Sequence, residues 1–333
     1  MKYHPPSFEA VYAMENLYHA WHKVSLGKSS KASILNFYRN LDSNLSSIAD
    51  DLKNSCYKPG LYNCFKIKEP KERLISAAPV RDRVVHHALL NYYEPVFERH
   101  LIYDSYACRV GKGTHKAVLR AFHFAKSNRY FLKMDVRKYF DSIDHIILKT
   151  LLTKIINDKA VLNLFYIIID YGNTFAEKGL PIGNLTSQFF ANHYLSGIDH
   201  YFKEQLYARR YVRYMDDILV FSDNKRELNT MYTIAVKYIG EKLKLILKPP
   251  IIGLVINGVP FLGYLVKPSG IYLQVKTKKR YKNSMTEIER KRREGIYTEL
   301  EASRRAEAVT AHLLLARSRK FRNNVLHRRV LGD

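Results

Sequence analysis

The stretch RYVRYMDDILVFS (residues 210–222) constrains the fold more than any other part of the chain. Tyr211, Val212, Tyr214 and Met215 precede two adjacent aspartates, and Ile218, Leu219, Val220 and Phe221 follow them. β-Branched and aromatic residues on both sides read as two strands, which puts Asp216 and Asp217 at the crest of a hairpin. A polar turn is the plain alternative, since Asp favours turns. No glycine accompanies this pair, however, and the pattern around it is apolar. Two like charges beside buried strands repel and resist desolvation unless a cation neutralises them.

A third aspartate ends another strand. In LKMDVRKYFDSID (132–144), the strand 130–134 leads directly into Asp135, at the end from which a side chain enters a cleft. One carboxylate from this strand and two from a neighbouring hairpin form a cluster that is stable around divalent metal. Hard oxygen ligands with positions left for phosphate oxygens favour Mg²⁺, with Mn²⁺ as a substitute. Two such ions about 3.5–4 Å apart serve in-line phosphoryl transfer. Asp141, Asp144 and Asp223 fit helix caps or surface positions better.

The charge balance names the class of partner. The 333 residues carry 55 Lys+Arg against 31 Asp+Glu, a net +24. So large an excess suits a polyanion, because neutralising phosphates releases counterions. Cys56, Cys64 and Cys108 are odd in number and lack CxxC spacing, which argues against a zinc site or a disulfide framework. The N-terminus has no signal-peptide core, and the apolar run 160–169 is too short to span a bilayer. The expectation is a soluble intracellular protein of a reducing cytoplasm, with no membrane partner.

Along the chain, residues 8–54 carry helical periodicity, and 58–80 read as a basic hairpin around a KEPKE turn. Residues 81–100 return to helix. RVGKGTHKAVLRAFHFA is a basic glycine loop leading into a helix, with Thr114 as its expected cap. Helices follow the Asp135 strand to about 170, then a Gly-Pro-Gly loop (179–183) and a helix to 198. A helix over 226–243, strands at 251–275 and strongly basic helices complete an α+β chain. GKGT (111–114) lacks the first glycine of a phosphate loop, since position 106 is Tyr, and reads as a basic loop near template or nucleotide. His86, His87 and His115 have no metal-spaced partners and read as core or surface histidines.

With these segments in order, the chain resembles a reverse transcriptase. YMDD after LKMDVRKYFDSIDH resembles the palm, FKIKEPKERLI the fingertip strands that clamp a nucleotide, and GLPIGNLTSQFFANHYL the template-and-nucleotide loop. LKLILKPP resembles the segment whose lysine faces pyrophosphate, and VPFLGY the primer grip. The resemblance covers about residues 30–275 and implies a right-hand polymerase. Fingers would occupy 1–125 (hairpin 61–78, basic loop 109–114), a palm of antiparallel sheet backed by helices 126–272, and a basic helical thumb 273–333. It further implies that Asp135, Asp216, Asp217 and the Val136 carbonyl hold two metal ions. Arg73, helped by Lys68 or another hairpin lysine, would hold a dNTP triphosphate. Phe140 would exclude a ribose 2′-hydroxyl, its alternative being a core Phe beside Tyr139, and Lys248 would serve pyrophosphate. Template and primer would meet Arg109, Lys112, Tyr214, Met215, Phe261, Leu262, Gly263, Lys278, Lys279 and Arg280.

One segment departs from the common pattern. Where most reverse transcriptases carry Gln-Gly-x-x-x-Ser-Pro, this chain has Ile182-Gly183-x-x-x-Ser187-Gln188. That departure resembles the reverse transcriptases of diversity-generating retroelements. The resemblance implies error-prone copying of a template RNA, concentrated at adenines, for mutagenic retrohoming. It also implies a small basic oligomeric accessory variability determinant protein as partner of the RNA/cDNA-bound enzyme. An isoleucine at 182 offers shape but no hydrogen bond to the nucleotide; its other reading is packing against the palm. A group II intron or retron enzyme of ordinary fidelity is the neighbouring alternative, and a non-catalytic RNA-binding scaffold the remote one.

Overall fold

The computed structural model describes residues 3–67, 72–171 and 177–330. By contacts the chain divides into two compact units. The first comprises residues 1–103, 136–206 and 234–248, and the second 104–135, 207–233 and 249–333. The chain thus passes from one unit to the other immediately after Asp135.

The first unit is mostly helical. The helix Met14–Ser25 packs along Val80–Arg99 and buries Leu17, Ala20 and Val24 against a face that includes Val84, Val85 and Ala88. Asn16 fastens the pair by donating to the Val11 and Ala88 carbonyls at 2.8 and 3.0 Å. A second core forms around Phe97, whose ring meets Phe165, Phe189 and Phe190 from the helices Lys159–Tyr171 and Leu185–Tyr194. Strands β1 (Asn63–Ile67) and β2 (Arg73–Ala77) pair antiparallel, with Phe65 opposite Ile75 and Ile67 opposite Arg73. This hairpin stands largely in solvent, so its apolar residues Phe65 and Leu74 are exposed. Asp144 caps the helix His145–Thr153 by accepting from Ile147 N–H, as its sequence context predicts.

The second unit carries the sheets. Strands β3 (Tyr130–Asp135), β4 (Tyr211–Tyr214), β5 (Asp217–Ser222) and β6 (Ile251–Leu254) form an antiparallel sheet in the order β4-β5-β3-β6. β3 is central because its residues Phe131, Leu132 and Met134 are buried and need cover on both sides. Gly253 on β6 makes room for the Phe131 ring: a Cβ there would lie 3.0 Å from it. The helix Thr114–Ala125 packs on this sheet through Ala117, Val118, Ala121 and Phe124. A meander follows, of β7 (Val259–Phe261), β8 (Tyr264–Lys267) and β9 (Gly270–Leu273), and then the helices Val275–Arg293, Glu299–Ala311 and Arg319–Val330.

Thr114 is not the cap expected of it. Gly113, with φ +99°, holds the cap position, a backbone that disfavours a β-branched residue. The Thr114 hydroxyl instead bonds the Tyr214 hydroxyl at 3.1 Å, tying the basic loop's helix to β4.

Candidate active site

The carboxylates are positioned by strand register. β3 runs antiparallel to β5 with Asp135 directly opposite Asp217, so both side chains leave the same face of the sheet. β4 and β5 close on the pair Tyr214–Asp217, which leaves Met215 and Asp216 as a two-residue turn. Met215 has φ +56°, a left-handed conformation that an ordinary L-residue holds at a cost of roughly 1–3 kcal/mol. The hairpin expected from the sequence is there, but its crest is Met215–Asp216 rather than Asp216–Asp217: Asp217 is already the first residue of β5, and Met215 carries the strain.

A lysine supplies the cation nearest to hand. Lys133 shares the face of β3 with Asp135, and its ammonium lies 2.9 Å from Asp217 Oδ2. The same ammonium donates to the Pro260 carbonyl on β7 at 3.0 Å, so one charge joins the aspartate to the meander. Asp217 Oδ1 is buried with no hydrogen-bond partner. Burial pushes the Asp217 carboxyl up to about 6; Lys133 opposes the rise, while Asp216 and Asp135 add to it. Among the described residues no three His, Cys, Asp or Glu side chains stand ready-made as a metal cage. The donor set nevertheless suits a hard divalent ion. It has an unpartnered buried oxygen and three neighbouring carboxylates, and its resident counter-ion is a flexible lysine. Asp135, Asp216 and Asp217 would hold such an ion.

The basic loop is stitched to this hairpin. Ser105 bridges to Arg213 on β4, and Arg109 donates to the Ser105 carbonyl at 2.8 Å. Lys112 sits 4.9 Å over the Tyr106 ring. Phe261 is buried on β7, and Leu262 and Gly263 form the two-residue turn to β8, both with positive φ. Lys278, Lys279 and Arg280 are exposed on the helix Val275–Arg293. All of these residues belong to the second unit, with the three aspartates.

The expected nucleotide residues belong to the first unit. There, Ser76 of β2 donates to the Ile182 carbonyl at 2.8 Å, and Gly183 lies against Ile75 and Ser76. Leu180 N–H donates to the Phe140 carbonyl at 2.8 Å. Backbone bonds thus join Phe140, the loop 180–183 and the strand of Arg73 into one connected group. Tyr139 is the buried aromatic of its pair, while Phe140 is half-exposed, which removes the core reading of Phe140. Arg73 is exposed and Ile182 and Gln188 are half-buried; Val136, expected beside the metal, forms an isolated bridge with Leu247, and Lys248 follows it. Lys68 lies outside the described residues.

Two residues of the site were not singled out from sequence: Lys133 and Arg213. Both carried a signal, a charged side chain inside an apolar strand pattern two residues from a key position. His86 is a core histidine, its pKa driven down to about 3 by burial, and His115 is exposed.

The antiparallel sheet thus carries carboxylates at one end, beside a basic loop. Residues 58–266 match the reverse transcriptase (RNA-dependent DNA polymerase) family, and the chain belongs to that family. The putative COX1/OXI3 intron 2 protein of Saccharomyces cerevisiae is 23% identical over 219 residues, which cover 61% of this chain and 24% of that protein. The group II intron-encoded protein LtrA of Lactococcus lactis subsp. cremoris is 27% identical over 172 residues, 47% of this chain and 28% of that one. The chain therefore spans about a quarter of the length of these two curated relatives. The solved structure of apo telomerase from Candida tropicalis aligns with a TM-score of 0.50 at 12% identity, over 70% of this chain and 52% of that one. The fold is that of the right-hand polymerases. No helix among the described residues is long and apolar enough to cross a membrane.

Proposed function

We propose that this chain is an RNA-directed DNA polymerase that copies a template RNA into cDNA, using Asp135, Asp216 and Asp217 as its metal-binding carboxylates. The register of Asp135 on Asp217, with Asp216 in the adjoining turn, carries the reading. Two Mg²⁺ ions, or Mn²⁺ in their place, would supply activation of the primer 3′-hydroxyl and charge stabilisation on the departing pyrophosphate. In the reaction, the 3′-oxygen attacks the α-phosphorus of a dNTP and the bond to pyrophosphate breaks. Arg73, with Lys68 and Lys248, neutralises triphosphate charge. Phe140 meets a ribose 2′-hydroxyl and so favours deoxynucleotides. Arg109, Lys112, Lys278, Lys279 and Arg280 hold phosphates of the RNA/cDNA duplex without reading sequence. On this reading residues 1–125, 126–272 and 273–333 act as fingers, palm and thumb.

The finer reading is mutagenic copying within a diversity-generating retroelement, with a small basic accessory protein as partner. Ile182 and Gln188, in place of the common Gln and Pro, support it. A second reading, an enzyme of ordinary fidelity from an intron, is favoured by the likeness to intron-encoded proteins.

Primer extension on a defined RNA with dNTPs and Mg²⁺, with every cDNA sequenced, separates these readings. The chain is expected to make cDNA with errors concentrated opposite template adenines. Asp216→Ala should lower the rate by at least about 10³-fold, since the metal site supplies several kcal/mol at about 1.4 kcal/mol per tenfold. Accurate cDNA would select the intron-type reading. Equal synthesis by the wild type and Asp216→Ala would overturn both.

A further inference from the structure

We propose that Arg213 is a positioning residue: it holds the left-handed backbone of Met215 and thereby aims Asp216 and Asp217. The inference rests on the polymerase reading above. Arg213 is the largest fully buried side chain among the described residues, with 0% exposure, in the middle of β4. Tyr211 and Val212 adjoin it on β4 and Ile218 lies directly across on β5, while the buried polar residues Asp104 and Ser105 run along its other side. A buried guanidinium needs hydrogen-bond partners that an apolar side chain does not. One of them bears on the turn: Nη1 donates to the Met215 carbonyl at 3.0 Å.

That bond falls on the strained residue. Met215 holds φ +56° at the first position of the two-residue turn, and nothing in a methionine favours that conformation. A charge-assisted bond to its carbonyl is stronger than a neutral one and fixes the orientation of the following peptide. Asp216 begins at that peptide and Asp217 follows it.

Arg213 is itself anchored on its outer side. Its N–H donates to the Asp104 carbonyl at 2.9 Å, and its carbonyl accepts from Tyr106 N–H at 3.0 Å. The Asp104 carboxylate, 3% exposed, is gripped by Arg120 at 2.8 and 3.3 Å. The strap 104–106 thus clamps the main chain of Arg213, and the side chain of Arg213 clamps the turn. Every member of this chain of contacts lies in the second unit.

The test is a double-mutant cycle read by metal binding rather than by turnover alone. Arg213→Met, Arg213→Lys, Met215→Gly and the two combinations are compared with the wild type. Mn²⁺ binding is followed by the electron paramagnetic resonance of the free ion, with Asp216→Asn as the blank. Thermal unfolding and template–primer affinity are measured on the same samples. Arg213→Met is expected to weaken Mn²⁺ binding by about tenfold, the effect of about 1.4 kcal/mol. Template–primer affinity should stay unchanged. The loss should shrink in the Met215→Gly background, because glycine adopts positive φ without the bond. Arg213→Lys keeps the buried charge but not the planar donor fork, and should show the same pattern if the methionine variant does not fold. Mn²⁺ affinity unchanged in a folded Arg213 variant, or an equal loss with and without Met215→Gly, would overturn the inference while leaving the polymerase reading intact. Absence in the wild type of any Mn²⁺ binding that Asp216→Asn removes would overturn the reading on which it rests.

Discussion

At the scale of single residues, Lys133 would compete with a divalent ion held as proposed for one oxygen of Asp217. Its ammonium sits 2.9 Å from Asp217 Oδ2, where an opposing positive charge lowers the affinity for any cation. Lys133→Gln should therefore tighten Mn²⁺ binding several-fold, although it removes a side chain from the site. Unchanged or weaker binding would show that the lysine does not compete. Ile182 is the second residue to test. Its half-buried side chain lies within the Gly-Pro-Gly loop, and its carbonyl accepts from Ser76 N–H. Restoring an amide with Ile182→Gln adds one hydrogen bond, worth about 0.5–1.5 kcal/mol, so errors at template adenines should fall several-fold. Identical error spectra from the two proteins would remove Ile182 from the fidelity mechanism. The aspartates were legible in the sequence because Asp135 closes one apolar run and Asp216 and Asp217 interrupt another. Lys133 and Arg213 were present in the same quoted stretches, but their importance depends on which strand lies opposite and what the side chain reaches.

At the scale of elements, the loop 180–183 shows how a short segment is held in place by a glycine. Gly183 has φ +122°, and a Cβ there would meet Ile75 Cγ2 at 2.9 Å and the Ser76 carbonyl oxygen at 3.2 Å. Gly183→Ala should destabilise the first unit by roughly 1–3 kcal/mol through strain and overpacking, seen as a lower urea midpoint with an unchanged slope. A midpoint equal to the wild type would mean that the loop moves away from β2 at no cost. Helix and strand positions were largely readable: the periodicity of 81–100 became Val80–Arg99, and the hairpin at 58–80 became β1 and β2. The cap assignment at Thr114 was not, because local preference for a hydroxyl yielded to a long-range partner, Tyr214.

At the scale of the whole molecule, the net +24 would make the proposed association with nucleic acid strongly dependent on salt. Engagement of six to ten phosphates would weaken template–primer binding by about 10³–10⁵ between 50 and 200 mM salt. Replacing Lys278, Lys279 and Arg280 together with alanine should reduce the slope of log affinity against log salt by up to about 0.9 per lysine or arginine removed. Fluorescence anisotropy over a salt series measures both quantities. An unchanged slope would take this helix face off the duplex.

The sequence by itself determined what is written in local patterns. Alternating apolar residues place strands, the spacing of charges marks where those strands end, and the surplus of lysine and arginine makes the chain strongly cationic. Those signals act over a few residues and need no knowledge of what lies across the sheet. Tertiary structure alone decided register and pairing. It set Asp135 opposite Asp217, brought Lys133 onto the second aspartate, and buried Arg213 beneath the Met215 turn. It also carried the chain from one compact unit to the other directly after Asp135. The two contacts of Asp217 join residues about eighty positions apart, and the burial of Arg213 likewise follows from the packing of whole faces, which no local pattern specifies.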